Sequence, residues 1–105
     1  MTTLLLSGFL ALSAGLLGIS LFGILTRRNF ILLLIAIEIG MNATILNFVY
    51  FAAFAGAATG LTGQAIAVVL VGFAATEIAV GLAIVLALNR LKGSINVAQA
   101  NELRL

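Results

Sequence analysis

The sequence predicts an all-α integral membrane protein with three transmembrane helices, its amino terminus outside and its carboxyl terminus in the cytoplasm. Of the 105 residues, 64% are hydrophobic and only 8% are charged, whereas about a quarter of a soluble domain is charged. Three apolar runs are each long enough for the ~20-residue helix that crosses a bilayer; they span residues 4–26, 30–54 and 64–88. We therefore expect a single three-helix unit over residues 1–105, because lipid removes the need for a polar exterior.

Composition also excludes several kinds of chemistry. The chain has no Cys and no His, so disulfides, thiolate nucleophiles and metal or haem sites built on these residues cannot form on it. We expect no catalytic residue, no metal and no cofactor on this chain, and any redox chemistry would have to lie elsewhere. The net charge of +2 is small and scattered, which argues against nucleic acid binding.

The first span, residues 4–26, is expected to be a retained helix rather than a signal peptide. It has no basic segment before it, its apolar run exceeds ~15 residues, and Arg27 and Arg28 follow it instead of preceding it. Small residues recur along it at helical spacing, which predicts close packing against another helix. They are Gly8, Ala11, Gly15 and Gly18.

The second and third spans, residues 30–54 and 64–88, are joined by AGAATGLTG, residues 55–63, which we interpret as an uncharged loop. Its glycine pattern lacks the Lys of a phosphate-binding loop, so we do not interpret it as a nucleotide site. By the positive-inside rule, the Arg27–Arg28 turn and the basic end at Arg90 and Lys92 should face the cytoplasm. The polar tail, residues 89–105, would lie on that side.

Two of the three acidic residues, Glu38 and Glu77, fall within the second and third spans. A charge at this depth costs at least ~2.5 kcal/mol on insertion scales, so such residues usually mark an ion or proton path. Ten residues separate Glu38 from Arg28 and thirteen separate Glu77 from Arg90, which at ~1.5 Å per residue places both near the midplane. Water or a partner residue would have to bridge helix axes ~8–10 Å apart.

Helical periodicity predicts the neighbours of both carboxyl groups. The predicted faces are as follows: Leu34, Asn42, Ile45 and Val49 beside Glu38; Gly40, Ala43, Thr44 and Asn47 opposite it; Leu70, Phe73, Gly81 and Ile84 beside Glu77; and Gly72, Ala75, Ala79 and Ala83 opposite that residue. The last group is a small-residue face suited to close helix contact. Three helices cannot cover all of these faces, so we expect larger neighbouring subunits.

The roles of the polar residues leave alternatives open. Glu38 and Glu77 are predicted to relay protons, although permanently protonated acids that join helices by hydrogen bonds would also fit. Asn42 could support helix packing or take part in a water chain. Arg27 and Arg28 are topology determinants that could also act as a cytoplasmic gate or counter-charge.

Four stretches carry a more specific signal: TRRNF at the head of the second span, LIAIEIGMNATILNFV around Glu38, GFAATEIAVGLAIVLAL around Glu77, and the closing NELRL. In these stretches the chain closely resembles the small three-helix membrane subunit of respiratory complex I, called subunit K in bacteria and subunit 4L in mitochondria and chloroplasts. The resemblance covers nearly the whole chain. Two departures concern local packing: Gly40 replaces a larger apolar residue, and Thr76 replaces an Ala.

The resemblance implies a core membrane-arm subunit of a proton-translocating NADH:quinone oxidoreductase, in an energy-transducing membrane such as a prokaryotic plasma membrane or its thylakoid or mitochondrial equivalent. Its partners would be the quinone-end subunits and the first antiporter-like subunit. Flavin, iron–sulfur clusters and quinone would belong to partner subunits, and NADH, ferredoxin or a deazaflavin could donate the electrons. Glu38 and Glu77 would belong to the hydrophilic axis that couples quinone reduction to proton translocation.

Two other classes of protein compete with this interpretation. A small subunit of a multi-subunit cation/proton antiporter would share the three-span plan, but both Glu motifs together with Arg27, Arg28 and Asn29 favour complex I. A rotor subunit would need one helical carboxylate rather than two. A small multidrug exporter would be expected to offer an aromatic cage, whereas this chain has no Trp and one Tyr.

Overall fold

Three α-helices make up the fold, which was obtained as a computed structural model that describes residues 2–93 and residue 97. They are α1 (Thr2–Thr26), α2 (Phe30–Phe54) and α3 (Ala57–Lys92). Each is long and apolar enough to cross a membrane. No β-strand occurs among the described residues, and the predicted all-α class with three membrane-spanning helices is confirmed.

Helix α2 is the centre of the structure. Helix α1 packs along one side of it and α3 packs along another, while α1 and α3 have few contacts with each other. The result is a flat layer measuring 54 × 24 × 18 Å. Because each outer helix is supported by α2 alone, both leave most of their surface open to lipid or to other subunits.

The contact between α1 and α2 depends on small and polar residues that face each other. A methyl group placed on Gly23 would lie 2.7 Å from the Cβ atom of Ala36, so the two helices approach closely there. Nearer the other end of the pair, the ring of Tyr50 packs against that of Phe9, with their centroids 4.5 Å apart. Tyr50, which is only 6% exposed, is therefore a core residue of this interface.

The contact between α2 and α3 is antiparallel and equally close. Gly81 of α3 lies against the side chain of Leu34, and Gly63 lies against Ala52. A methyl group on Gly60 would lie 2.7 Å from the carbonyl oxygen of Ala52. Small residues of α3 thus let its backbone approach α2, which is how helices commonly associate in lipid.

The two basic segments lie at one end of the layer. Asn29 caps α2 by accepting a hydrogen bond of 2.9 Å on its side-chain oxygen from the backbone N–H of Ile31. Helix α3 is capped by Gly93, which adopts a left-handed conformation with φ of 66°. The N–H of Val97 donates to the carbonyl oxygen of Arg28 at 2.8 Å, so Val97 lies beside the turn between α1 and α2.

The prediction of a loop over residues 55–63 is wrong for most of that range. Only Ala55 and Gly56 separate α2 from α3, and Ala57 already belongs to α3. Glycine usually indicates a turn in water, but here Gly60 and Gly63 are helical because they pack against Ala52. Tertiary contact has overridden local propensity.

Helix α3 also continues to Lys92, beyond the predicted end of the span at residue 88. Its 36 residues correspond to about 54 Å of helix, more than a hydrocarbon core of ~30 Å needs. The remainder of the predicted tail, including NELRL, lies outside the described residues, apart from Val97.

Neither predicted small-residue stripe contacts another helix of this chain. Methyl groups on Gly8, Gly15 and Gly18 would meet nothing within 4 Å, and the same holds for Gly72 on α3. The other members, Ala11, Ala75, Ala79 and Ala83, are exposed. These stripes therefore make no close contact within the chain, because residues on different faces of α1 and α3 contact α2, and their contact with other subunits stays a prediction.

Candidate intramembrane carboxylate site

The register of α2 and α3 brings Glu38 and Glu77 to one depth. Leu34 is opposite Gly81 in the antiparallel pair. Four residues further along α2 is Glu38, and four residues back along α3 is Glu77, so equal steps in opposite chain directions reach the same level. The contact between Ala52 and Gly63 has the same register. The carboxylates therefore lie on neighbouring helices at the same height, well inside both apolar runs.

Glu77 lines an open groove of ≈ 690 Å³ between α2 and α3. Four of its neighbours are the residues that helical periodicity places beside it, namely Leu70, Phe73, Gly81 and Ile84. The remaining lining residues are Leu34, Met41, Thr76 and Val80. The groove is thus almost wholly apolar, and the carboxyl group is its one ionisable member. Glu77 is exposed in the isolated chain.

Glu38 has a more enclosed position on the central helix. Its side chain is half-buried, and it shares a helix face with Leu34, which packs on α3, and with Ile45, which is buried. It does not itself line the groove around Glu77. Asn42 and Val49, the other predicted members of its face, are exposed.

Neither carboxyl group has a polar partner in the part of the chain that the structure describes, residues 2–93 and 97. The nearest hydroxyl along α3, that of Thr76, donates instead to the carbonyl oxygen of Gly72 at 2.9 Å. Within the described residues there is also no group of three acidic side chains that could hold a metal ion. Within residues 2–93 and 97, nothing on this chain neutralises or hydrogen-bonds either carboxyl group.

Polar contacts hold α1 against the side of α2 opposite Glu38. The hydroxyl of Ser13 donates to the carbonyl oxygen of Ala43 at 3.1 Å and accepts from the amide nitrogen of Asn47 at 2.8 Å. Ser20 is only 2% exposed. Its Oγ atom lies 2.5 Å from the position that a methyl group on Gly40 would occupy. Helical periodicity groups Asn47 and Gly40 opposite Glu38, and both face α1 here. The two serines were not predicted, although their spacing of seven residues was an available signal.

Arg27 and Arg28 do not join the carboxylates. They lie in the turn between α1 and α2, and ten residues of helix, about 15 Å, separate Arg28 from Glu38. With Arg90 and Lys92 in the last turn of α3, they form a basic end of the molecule. The structure thus separates the predicted site into a carboxylate pair inside the layer and a cationic cluster at its edge.

Fold and site together define a small multi-pass membrane protein that carries two carboxylates at one depth on adjacent helices. Comparison with known proteins gives the family. The model of the family described as NADH-ubiquinone/plastoquinone oxidoreductase chain 4L matches residues 8–105, and the chain belongs to that family. The resemblance seen in the sequence is thereby confirmed.

Curated relatives agree along nearly the whole chain. The chain is 44% identical to NADH-quinone oxidoreductase subunit K of Anaeromyxobacter sp. strain K over 95 residues, which cover 90% of this chain and 93% of the relative. It is 44% identical to subunit K 1 of Syntrophobacter fumaroxidans over 99 residues, covering 94% and 96%. For subunit K of Geobacillus kaustophilus the identity is 42% over 99 residues, covering 94% and 97%.

Proposed function

We propose that this chain is a core membrane-arm subunit of a complex I-type quinone oxidoreductase and that Glu38 and Glu77 relay protons within it. The observation that carries the proposal is the shared depth of the two carboxylates, set by the contacts of Leu34 with Gly81 and of Ala52 with Gly63. Partner subunits supply the flavin, the iron–sulfur clusters and the quinone site. The membrane is an energy-transducing one.

The environment of the two groups suits proton exchange. A carboxyl group can both accept and donate a proton, and acids inside a membrane commonly mark proton paths. In one step, the acid form of one Glu gives its proton through water to the carboxylate of the other, and the two groups exchange charge states. No net charge is created between the helices.

The groove around Glu77 supports the proposed contact with a partner subunit. A carboxyl group that faces hydrocarbon is costly, and this one opens sideways from the layer into an apolar groove of ≈ 690 Å³. A helix of a neighbouring membrane-arm subunit would cover the groove and could supply the next proton-carrying group. Quinone-end subunits and an antiporter-like subunit are the proposed neighbours.

The supporting residues have separate places in this proposal. Asn42 is exposed on α2 one turn beyond Glu38, where its amide could hold a water beside the carboxyl group. Arg27 and Arg28 fix the topology, with their end of the layer in the cytoplasm. Their distance from Glu38 argues against a direct ion pair as counter-charges.

Replacement of Glu by Gln tests the relay, because Gln keeps the shape of a neutral Glu and removes its exchangeable proton. Glu38→Gln should assemble normally and lose most quinone-coupled proton pumping. Glu77→Gln should show the same defect or a milder one, and Glu38→Asp should keep partial activity. The measurement is electron transfer and proton uptake in membrane vesicles, scaled to the amount of assembled complex.

Thr44→Val is a matched control on the same helix, because the Thr44 hydroxyl is bonded only to the carbonyl of Gly40 within α2. It removes a polar group inside the membrane without removing a titratable one and should pump normally. Normal pumping by an assembled Glu38→Gln/Glu77→Gln double variant would refute the relay and leave the two residues as interhelical hydrogen-bonding groups.

The cation/proton antiporter alternative gives a different result in the purified complex. Flavin and iron–sulfur absorbance in the complex that contains this chain supports the redox assignment. A complex without that absorbance, which exchanges cations for protons without an electron donor, would establish the antiporter instead.

A further inference from the structure

A second groove follows the seam between α1 and α2 at the basic end of the molecule. Its volume is ≈ 290 Å³, and Arg27 is its one charged member. Its side walls are large apolar residues from both helices: Ile19, Phe22, Leu32, Ile35 and Ile39. This groove is separate from the one around Glu77, with which it shares no lining residue.

The shape of the groove follows from the closest approach of the two helices. Gly23 and Ala36, which also line it, touch where a methyl group on the glycine would come within 2.7 Å of the Ala36 Cβ atom. Neither residue fills the space above that contact. Phe22, 61% exposed, and Ile35, 50% exposed, rise on the two sides. We call this open surface groove the channel: the Gly23–Ala36 contact is its floor, and large apolar side chains are its walls.

The mouth of the channel is basic in the part of the chain that the structure describes. Arg27 and Arg28 are exposed, and neither has an ion-pair partner within residues 2–93 and 97. The hydrogen bond from Val97 to the carbonyl of Arg28 draws the end of α3, with Arg90 and Lys92, toward the same turn. Glu38, the nearer of the two described acids along the chain, is about 15 Å of helix away. Among the described residues, this end of the molecule carries basic side chains and no acidic one.

We propose that this channel binds an anionic phospholipid, with an acyl chain along the apolar seam and the phosphate on Arg27. The apolar walls and the cation meet at the place where a phospholipid changes from hydrocarbon to headgroup. Arg suits this role because its planar guanidinium can donate two hydrogen bonds to one phosphate. Basic pockets between transmembrane helices on the cytoplasmic side are a known form of lipid site.

Charge complementarity favours a lipid over a helix of another subunit in this channel. A helix would need an acidic residue placed at the edge of the bilayer to meet Arg27, whereas every anionic phospholipid carries its phosphate at that depth. The groove around Glu77 is more than twice as large and is the better place for a helix. The proposal is independent of the proton relay.

Photo-crosslinking in the assembled complex tests the lipid site. The complex would be reconstituted in phosphatidylcholine nanodiscs with a trace of phosphatidylglycerol that carries a diazirine in its acyl chain. Peptides of this chain would then be searched for adducts by mass spectrometry. Adducts should form on Phe22, Leu32 or Ile35, and should exceed those from a phosphatidylcholine diazirine about fivefold, the ratio that ~1 kcal/mol for one Arg gives.

Variants of the basic end provide the controls. Arg27→Gln should reduce the phosphatidylglycerol adducts to the phosphatidylcholine level, and Arg27→Lys should retain part of the preference. Arg90→Gln removes the same charge from the same end but does not line the channel, so it should change little. Excess unlabelled phosphatidylglycerol should compete, while excess inorganic phosphate should not.

Three outcomes would overturn the proposal. Equal labelling by the two lipid probes would mean that the channel meets bulk lipid without recognising a headgroup. Full competition by inorganic phosphate would mean that Arg27 binds an anion without the acyl chain. Channel adducts that are absent in the complex, while the walls crosslink to a neighbouring polypeptide, would mean that a partner helix fills the seam.

Discussion

Replacing single glycines of α3 by alanine tests the α2–α3 register that places the two carboxylates. In Gly60→Ala, the new methyl group would lie 2.7 Å from the Ala52 carbonyl oxygen, whereas ordinary contact begins at 3.4 Å. The helices must therefore separate by about 0.7 Å. In Gly63→Ala the methyl group meets the Cβ atom of Ala52 at 2.8 Å, which requires a similar shift.

The expected magnitude combines two opposing effects. Overpacking of a close contact costs typically 1–3 kcal/mol, and the obstacle at Gly60 is backbone, which cannot rotate away. Alanine regains up to ~1 kcal/mol of helix propensity. We expect Gly60→Ala to lower the free energy of unfolding by about 1–2 kcal/mol in total. The Gly60→Ala/Gly63→Ala double variant should lose less than the sum of the two single losses, since one separation of the helices relieves both contacts.

Gly72→Ala is the matched control, because a methyl group on Gly72 would meet nothing within 4 Å. It should leave the stability unchanged or raise it slightly. The assay is unfolding of the chain by increasing SDS in mixed micelles, followed by far-ultraviolet circular dichroism. Equal stability of Gly60→Ala and Gly72→Ala would show that the register is wrong, and the shared depth of Glu38 and Glu77 would lose its basis.

Three further predictions use the same chain. In the SDS assay, Ser13→Ala should lower the free energy of unfolding by about 0.6–1.7 kcal/mol. Adding Asn47→Leu should lower it no further, since the two side chains share one hydrogen bond. Additive losses of stability would contradict this coupling. Single cysteines at Thr59 and Val97 should react with a membrane-impermeant maleimide from the outside and the cytoplasm respectively, and labelling of both from one side would refute the topology. Gly15→Leu should leave the isolated chain as stable as wild type, because nothing lies within 4 Å of Gly15, yet lower the amount of assembled complex; normal assembly would show that this face meets lipid.

Much of the fold could be predicted from the sequence because lipid imposes simple rules on length and polarity. A helix must cover the hydrocarbon core, and its backbone hydrogen bonds must be satisfied internally, so apolar runs and basic turns suffice to define three helices. The face of Glu77 was equally predictable. Helical periodicity alone groups it with Leu70, Phe73, Gly81 and Ile84, and all four line its groove.

The choice of contact faces could not be predicted in the same way. In water, an apolar face marks the core, but in lipid every face of α1 is apolar and small residues occur on more than one of them. The stripe that contains Gly8 and Gly15 looks like a contact face, yet α1 uses Ser13, Ser20 and Gly23. Only the position of the neighbouring helix decides between such stripes.

The difference between the two carboxylates follows from how their helices are held. Helix α2 is packed on both sides, since its Leu34 contacts Gly81 of α3 and its Ala43 and Asn47 are hydrogen-bonded to Ser13 of α1. Glu38 is half-buried on this central helix. Helix α3 is held by α2 alone, and Glu77 opens outward. We therefore expect a partner subunit to complete the surroundings of Glu77 more than those of Glu38. If that partner brings an acid of its own, it can substitute for Glu77, which is why the milder defect is expected for Glu77→Gln.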